Sequence, residues 1–148
     1  MSDAEILVEF WKEEWVVARH FDEQRTTISN LIIIVAAAII GFIIQVGISM
    51  KTLPMTIFLI VLGLYGTITV KKLYERHQYH IIRMRKFRER IDELVSDAKL
   101  MEIVNTSKDM HREHYPRLSK QRLHYLWSFL HISITIMGII TTIMSILN

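Results

Sequence analysis

The sequence contains no cysteine, only two prolines and only five glycines. Without cysteine the chain has no disulfide framework, no thiolate metal site and no cysteine nucleophile. All five glycines fall inside segments that we predict below to be membrane spans, so none of them belongs to a glycine-rich phosphate-binding loop. The motifs G-x-S-x-G and H-E-x-x-H are also absent. The chain is therefore predicted not to be an enzyme.

Hydrophobic residues make up 51% of the 148 residues, and the mean hydropathy is +0.25. They are concentrated in blocks that approach the roughly 20 residues needed to cross a bilayer as a helix. The predicted fold is an all-α membrane protein that forms a single membrane domain over residues 1–148. Its parts are a cytoplasmic amphipathic helix, a two-span hairpin, a helical cytoplasmic segment and a third span, at residues 1–30, 31–70, 71–125 and 126–148 respectively.

The N-terminal segment is predicted to be an amphipathic helix. Ser2 and Glu5 have the spacing of a capping box, in which each side chain bonds the other residue's backbone N–H. Residues 1–25 carry seven acids against three bases, unlike the basic start of a secretory leader. Glu14 interrupts the apolar stripe of this helix. The acidic balance favours packing on protein over lying on an anionic lipid surface.

The hairpin consists of two spans, 31–48 and 53–70, joined by the short turn 49–52. Pro54 lies near the start of the second span, where a missing N–H costs little. The first span carries a face of small residues that ends in an amide, formed by Ala37, Gly41 and Gln45. Such a face permits close approach of another helix.

Orientation is predicted from the bases that flank the spans. The turn holds one base, Lys51, whereas the segment after the second span holds eight bases by Arg90. This asymmetry predicts that the N-terminus and residues 71–125 are cytoplasmic and that the turn and Asn148 lie outside.

The cytoplasmic segment has no glycine or proline from Lys71 to Val104, which predicts that the second span continues as a helix. Within it Met84, Phe87, Ile91, Leu94, Ala98 and Met101 form a heptad seam that needs a partner helix. Residues 105–107 are predicted to end this helix. Pro116 is predicted to open the last helix, which then runs without a break through the third span.

Two groups of bases are candidate ligand-binding residues: Arg83, Arg85, Lys86, Arg88 and Arg90, and Arg117, Lys120 and Arg122. One interpretation is that they face anionic lipid headgroups under the positive-inside rule. The other is that they bind an anionic nucleotide or a short oligonucleotide where copies of the chain meet. The sequence leaves both open.

The third span carries a polar seam, spaced alternately by three and four residues, of Ser128, His131, Thr135, Gly138, Thr142 and Ser145. The seam either packs against the small residues of the hairpin or lines a pathway between copies. His131 favours a functional role, because an ionisable group in a span is a functional hypothesis by default. The candidate pore-lining residues are therefore Ser128, His131, Thr135, Thr142, Ser145 and Gln45.

Two histidine pairs, His77 with His80 and His111 with His114, have a helical spacing that can share a metal ion. Neither pair has an obvious third ligand. No metal ion and no other cofactor is predicted.

The layout resembles the SLATT-type small membrane effectors of bacterial conflict systems, including the Hailong type. The resemblance rests on the close-coupled hairpin, the basic helical segment, and the runs Phe10-Trp11-Lys12-Glu13-Glu14-Trp15 and Arg19-His20-Phe21-Asp22. It covers about the first two thirds of the chain, and the third span departs from the plain two-span pattern.

The resemblance implies a homo-oligomeric channel in the bacterial inner membrane, with four copies as one candidate number, that depolarises the cell during phage infection. It also implies gating by a nucleotide or DNA oligomer that a partner nucleotidyltransferase makes. Two alternatives remain open. One is a non-conducting adaptor that recruits a soluble partner through residues 71–125, and the other is an accessory transporter subunit.

Overall fold

The computed structural model describes residues 2–147, and every regular element in that range is helical. The four α-helices are α1 Asp3–Val46, α2 Leu53–Leu94, α3 Leu100–His114 and α4 Leu123–Leu147. Three of them, α1, α2 and α4, are long and apolar enough to cross a membrane. The predicted all-helical class is confirmed. The last residue of the predicted third span, Asn148, lies outside the described residues.

The contacts divide the described chain into two compact units. Unit one comprises residues 2–22 and 74–122, and unit two comprises residues 23–73 and 123–147. The helices α1 and α2 each contribute residues to both units. Each unit has its own packing.

Unit two has an apolar core formed by α1, α2 and α4. Its buried members are Ile32, Ala36, Ile43, Leu59 and Ile134. The predicted short turn between the first two spans is confirmed. Gly47, at φ +90°, follows the end of α1 in a backbone conformation that other residues rarely adopt. The Thr52 hydroxyl then donates to the Ser49 carbonyl oxygen at 2.8 Å, just before α2 begins.

Unit one joins the start of α1 to the later part of α2. The capping box is confirmed, because the Ser2 N–H donates to Glu5 Oε2 at 2.7 Å and the Glu5 N–H donates to Ser2 Oγ at 3.3 Å. The Phe10 and Phe87 rings stack with centroids 6.1 Å apart. This end of α1 therefore packs on α2. The helix also continues without interruption through residue 30 to its end at Val46.

The prediction that the helix after the second span would run to residues 105–107 is wrong. Helix α2 ends at Leu94, and α3 runs straight through residues 105–107. Their polar side chains cost a helix only a few tenths of a kcal/mol each, which does not end it. The break comes earlier because the Asp92 carboxylate accepts the Met101 N–H at 3.2 Å, and Lys99 adopts a left-handed conformation with φ 47°.

The prediction of one unbroken helix from Pro116 is also wrong. Helix α3 ends at His114, a single 3₁₀ turn covers Leu118–Lys120, and α4 begins only at Leu123. The residue before a proline is disfavoured in helical conformation, which ends α3, and Gln121 is extended at ψ 127°. The side chains of this linker are mostly exposed and give a short helix no packing that would hold it.

Candidate functional site

The polar seam of α4 is packed inside unit two. Ser128, His131, Thr135, Gly138 and Ser145 are buried, and Thr142 is partly buried. Three side chains, from α1, from α2 and from the turn between them, meet the seam: Ser29 Oγ lies 3.1 Å from His131 Nε2, Thr142 donates to Thr56 at 2.8 Å, and Thr52 lies 3.5 Å from Ser145. From Ser128 to Ser145 the seam extends for about 26 Å at 1.5 Å per helical residue.

Glycine makes this packing possible. A Cβ added to Gly63 would lie 2.6 Å from the Thr135 backbone nitrogen and 2.8 Å from the His131 carbonyl oxygen. A Cβ on Gly138 would lie 2.8 Å from the Ile60 backbone nitrogen. Backbone therefore approaches backbone between α2 and α4, with no space for water between the backbones at these positions.

Two residues that the sequence did not single out lie near one end of this seam. Arg25 is only 5% exposed, and its guanidinium lies 6.0 Å from the ring centroid of Trp127. Arg25 stands one helical turn before Ser29, and Trp127 stands one turn before His131. The signal available in the sequence for Arg25 was its helical spacing. It lies on the same face of α1 as the apolar and small residues Ser29, Ile32, Ala36 and Ile43.

Gln45 differs from the other predicted pore-lining residues because its side chain is exposed. It has no hydrogen-bond partner within residues 2–147. Ala37 and Gly41, on the same face of α1, are also exposed. A Cβ on Gly41 would meet nothing within 4 Å, unlike those on the packed glycines of α2 and α4. This face of α1 therefore does not pack against the rest of unit two.

Unit one contains a buried ionic cluster on Glu14. The Glu14 carboxylate accepts from His80 Nδ1 at 2.5 Å and from Arg83 Nη1 at 2.9 Å. Its side chain is 11% exposed, and the Phe21 ring stacks on His80 with centroids 5.5 Å apart. The residue that interrupted the apolar stripe is therefore the anchor of α1 on α2. Its position in the stripe was visible in the sequence, but its partners were not.

The predicted ligand-binding bases on α2 fall into two classes. Arg83 binds Glu14, Lys86 binds Glu89 at 2.8 Å and Arg90 binds Glu93 at 2.5 Å. Arg85 and Arg88 form no ion pair within residues 2–147. The hydrogen bond from Lys86, aided by the charges of Lys86, Arg85 and Arg88, holds the pKa of Glu89 below its ordinary value. Glu89 therefore remains ionised, and the excess positive charge resides on Arg85 and Arg88.

The second predicted group lies in the linker between α3 and α4. Arg117, Lys120 and Arg122 are exposed and form no ion pair in the described part of the chain. Among residues 2–147, no hydrogen bond, ion pair or ring contact joins them to residues 83–90. The structure thus leaves five of the eight predicted bases without an acidic partner and does not bring the two groups into contact.

The histidine pairs belong to other contacts. His80 binds Glu14, and the rings of His111 and His114 both lie near Tyr115, with centroids 5.3 and 6.0 Å away. No cluster of three or more metal-ligand side chains occurs among residues 2–147.

Comparison with known protein families, with curated proteins and with solved structures gives no match for this chain. The likeness to SLATT-type effectors stays a prediction.

Proposed function

We propose that the chain is a homo-oligomeric ion channel of the bacterial inner membrane and that the packed seam is its closed conformation. The observation that carries the proposal is the polar seam between α4 and the hairpin. Its length of about 26 Å approaches the ~30 Å thickness of a bilayer core. Holding helices together in a membrane needs only a few such hydrogen bonds, each contributing about 0.6 kcal/mol. A seam along most of a span would line a water path if α4 separated from α2.

The oligomer would form through the exposed face of α1. Small residues at Ala37 and Gly41 allow a second helix to approach closely, and the Gln45 amide can bond its copy. In lipid an amide without a partner is costly, and a neighbouring copy removes that cost. The face therefore supports assembly of identical chains side by side in the membrane.

Replacing Thr142 by valine should change the conductance measured in a planar bilayer. Valine has nearly the shape of threonine, so the change removes the hydrogen bond to Thr56 while leaving the packing intact. If the seam lines the open path, an apolar group there should lower the single-channel current. The weaker closed packing should at the same time raise the fraction of time spent open.

Thr141→Val is the matched control. Thr141 bonds only carbonyl oxygens of its own helix, at Met137 and Gly138, and is off the seam. Its replacement should leave current and gating as they are. Identical currents in the two variants and in the native chain would remove the seam from the path.

Gating by an anionic ligand would use the bases that have no acidic partner. A short single-stranded DNA oligomer is a suitable probe, with binding to the detergent-solubilised chain followed by fluorescence anisotropy. Arg85→Gln combined with Arg88→Gln should weaken binding and reduce the salt dependence of the affinity by roughly 0.7 in log–log slope for each phosphate that is no longer neutralised. Lys86→Gln combined with Arg90→Gln removes the same charge from paired bases and should weaken binding less. Equal weakening by the two double variants would indicate a diffuse electrostatic effect without a site.

The exposed face of α3 favours a second candidate, a non-conducting adaptor. None of the residues Leu100–His114 is buried, and Ile103 and Met110 are 58% and 61% exposed. Such a helix would suit a soluble protein partner bound through residues 71–125. This function predicts no current from any variant, together with one soluble protein that copurifies stoichiometrically with the chain.

A further inference from the structure

His131 is held in unit two by one of its ring nitrogens only. Its Nε2 lies 3.1 Å from Ser29 Oγ, and the residue has no exposed surface. Its Nδ1 is buried and has no hydrogen-bond partner among the described residues. The ring lies against Gly66, where an added Cβ would be 2.8 Å from Cγ, 2.9 Å from Cε1 and closer still to Nδ1. No water fits between Nδ1 and the backbone of α2.

This geometry suits a neutral imidazole and does not suit an imidazolium. In the neutral ring Nε2–H can donate to Ser29 Oγ, which leaves Nδ1 as a bare lone pair against Gly66. The charged ring carries a proton on both nitrogens, so Nδ1–H would be buried without an acceptor. Burying a charge and an unsatisfied donor together is strongly unfavourable.

The surroundings offer no counter-charge to an imidazolium. From α1, Ser29 contacts the ring, and the nearest charged residue along that face is the cation Arg25. From α2, the ring meets the uncharged backbone of Gly66. On α4 itself the nearest titratable residues are Tyr125 and His124, six and seven residues earlier, and neither is an acid that ionises near neutral pH. The only acid in unit two is Glu23, which lies almost two turns before Ser29.

We propose that His131 is a proton-operated latch, so that protonation of its imidazole separates α4 from α2 and opens the seam to water. The proposal rests on the channel function above and assigns a regulator to it. The closed packing requires the neutral ring, whereas an imidazole in water takes up a proton below about pH 6.5. Acidification below that value therefore shifts the equilibrium towards the separated helices, by up to about tenfold per pH unit for one proton.

The absence of native cysteine allows a direct distance measurement. Ile68 on α2 and Leu126 on α4 are 68% and 60% exposed, so spin labels on Ile68→Cys and Leu126→Cys disturb no buried contact. The label–label distance is measured by double electron–electron resonance in liposomes at about pH 7.5 and about pH 5.5, on either side of the ordinary imidazole pKa. An excess of unlabelled chain removes distances between copies. Acidification should reduce the short-distance population and produce a longer one.

His131→Gln keeps an amide N–H that can donate to Ser29 and cannot take up a proton at these pH values. It should abolish the pH-dependent change, while His124→Gln on the same helix should retain it. A distance that is the same at both pH values in the native sequence, or a change that persists in His131→Gln, would overturn the latch. A pH-dependent distance in a chain that never conducts would contradict the channel and support the latch. A current without any pH-dependent distance would support the channel and contradict the latch.

Discussion

Gly63→Ala is expected to destabilise the packing of unit two by about 3 kcal/mol, the upper end of the usual cost of overpacking a core. The added methyl group would meet the Thr135 nitrogen and the His131 carbonyl oxygen, at 2.6 and 2.8 Å. Both are backbone atoms, so no side-chain rotation relieves the clash. The whole of α4 would have to move away from α2, which would also weaken the hydrogen bond between Thr142 and Thr56. Thermal unfolding in detergent, followed by the fluorescence of Trp127 in a chain whose other tryptophans are replaced by phenylalanine, measures the destabilisation.

Gly41→Ala is the control for this experiment. It makes the same chemical change in a helix long enough to span the membrane, at a position where the new Cβ would meet nothing within 4 Å. Alanine also favours helix over glycine by about 0.5–1 kcal/mol. The isolated chain should therefore unfold at the same temperature or slightly higher, while association of copies through α1 should weaken. Equal destabilisation by the two changes would mean that close approach of α2 and α4 is not what Gly63 provides.

The contrast between these glycines shows what the sequence could and could not predict about the site. The seam of α4 was predictable because its period is local: each member stands three or four residues from the next. The partner of each member was not, since His131 meets Ser29 across 102 residues of chain. Likewise Gly41 and Gly63 look alike in the sequence. Only the packed structure separates the glycine that a neighbouring helix covers from the one that is open.

The ends of the helices show the same difference between features that local sequence predicts and features that need the folded chain. The capping box at Ser2 and the turn at 49–52 were predictable because their hydrogen bonds join residues three apart. The break after Leu94 was not, because neither glycine nor proline marks it. At the break the Asp92 carboxylate accepts the Met101 N–H nine residues later, an interaction that joins residues far apart along a helix and is not visible as a local pattern.

Glu14→Ala is expected to destabilise the attachment of α1 to α2 in unit one by about 3 kcal/mol, at the lower end of the cost of breaking a buried ion pair. The change removes the carboxylate that His80 and Arg83 share and leaves both without their acceptor. The cost stays at the lower end because the Arg83 side chain is 44% exposed and can turn to water. Hydrogen exchange of the α1 amides in residues 3–22, measured by mass spectrometry in detergent, should become faster.

Two further variants separate the ionic contact from other effects. Glu13→Ala changes the adjacent residue, which is exposed and has no ion pair within residues 2–147, and should leave the exchange of α1 unchanged. Glu14→Gln keeps an oxygen that can accept from Arg83 and loses the charge, so its exchange should fall between those of the native chain and Glu14→Ala. If Glu13→Ala and Glu14→Ala gave the same exchange rates, the Glu14 carboxylate would not contribute to the attachment of α1 to α2. The hold of α1 on α2 would then come from the Phe10–Phe87 stack and the apolar packing beside it.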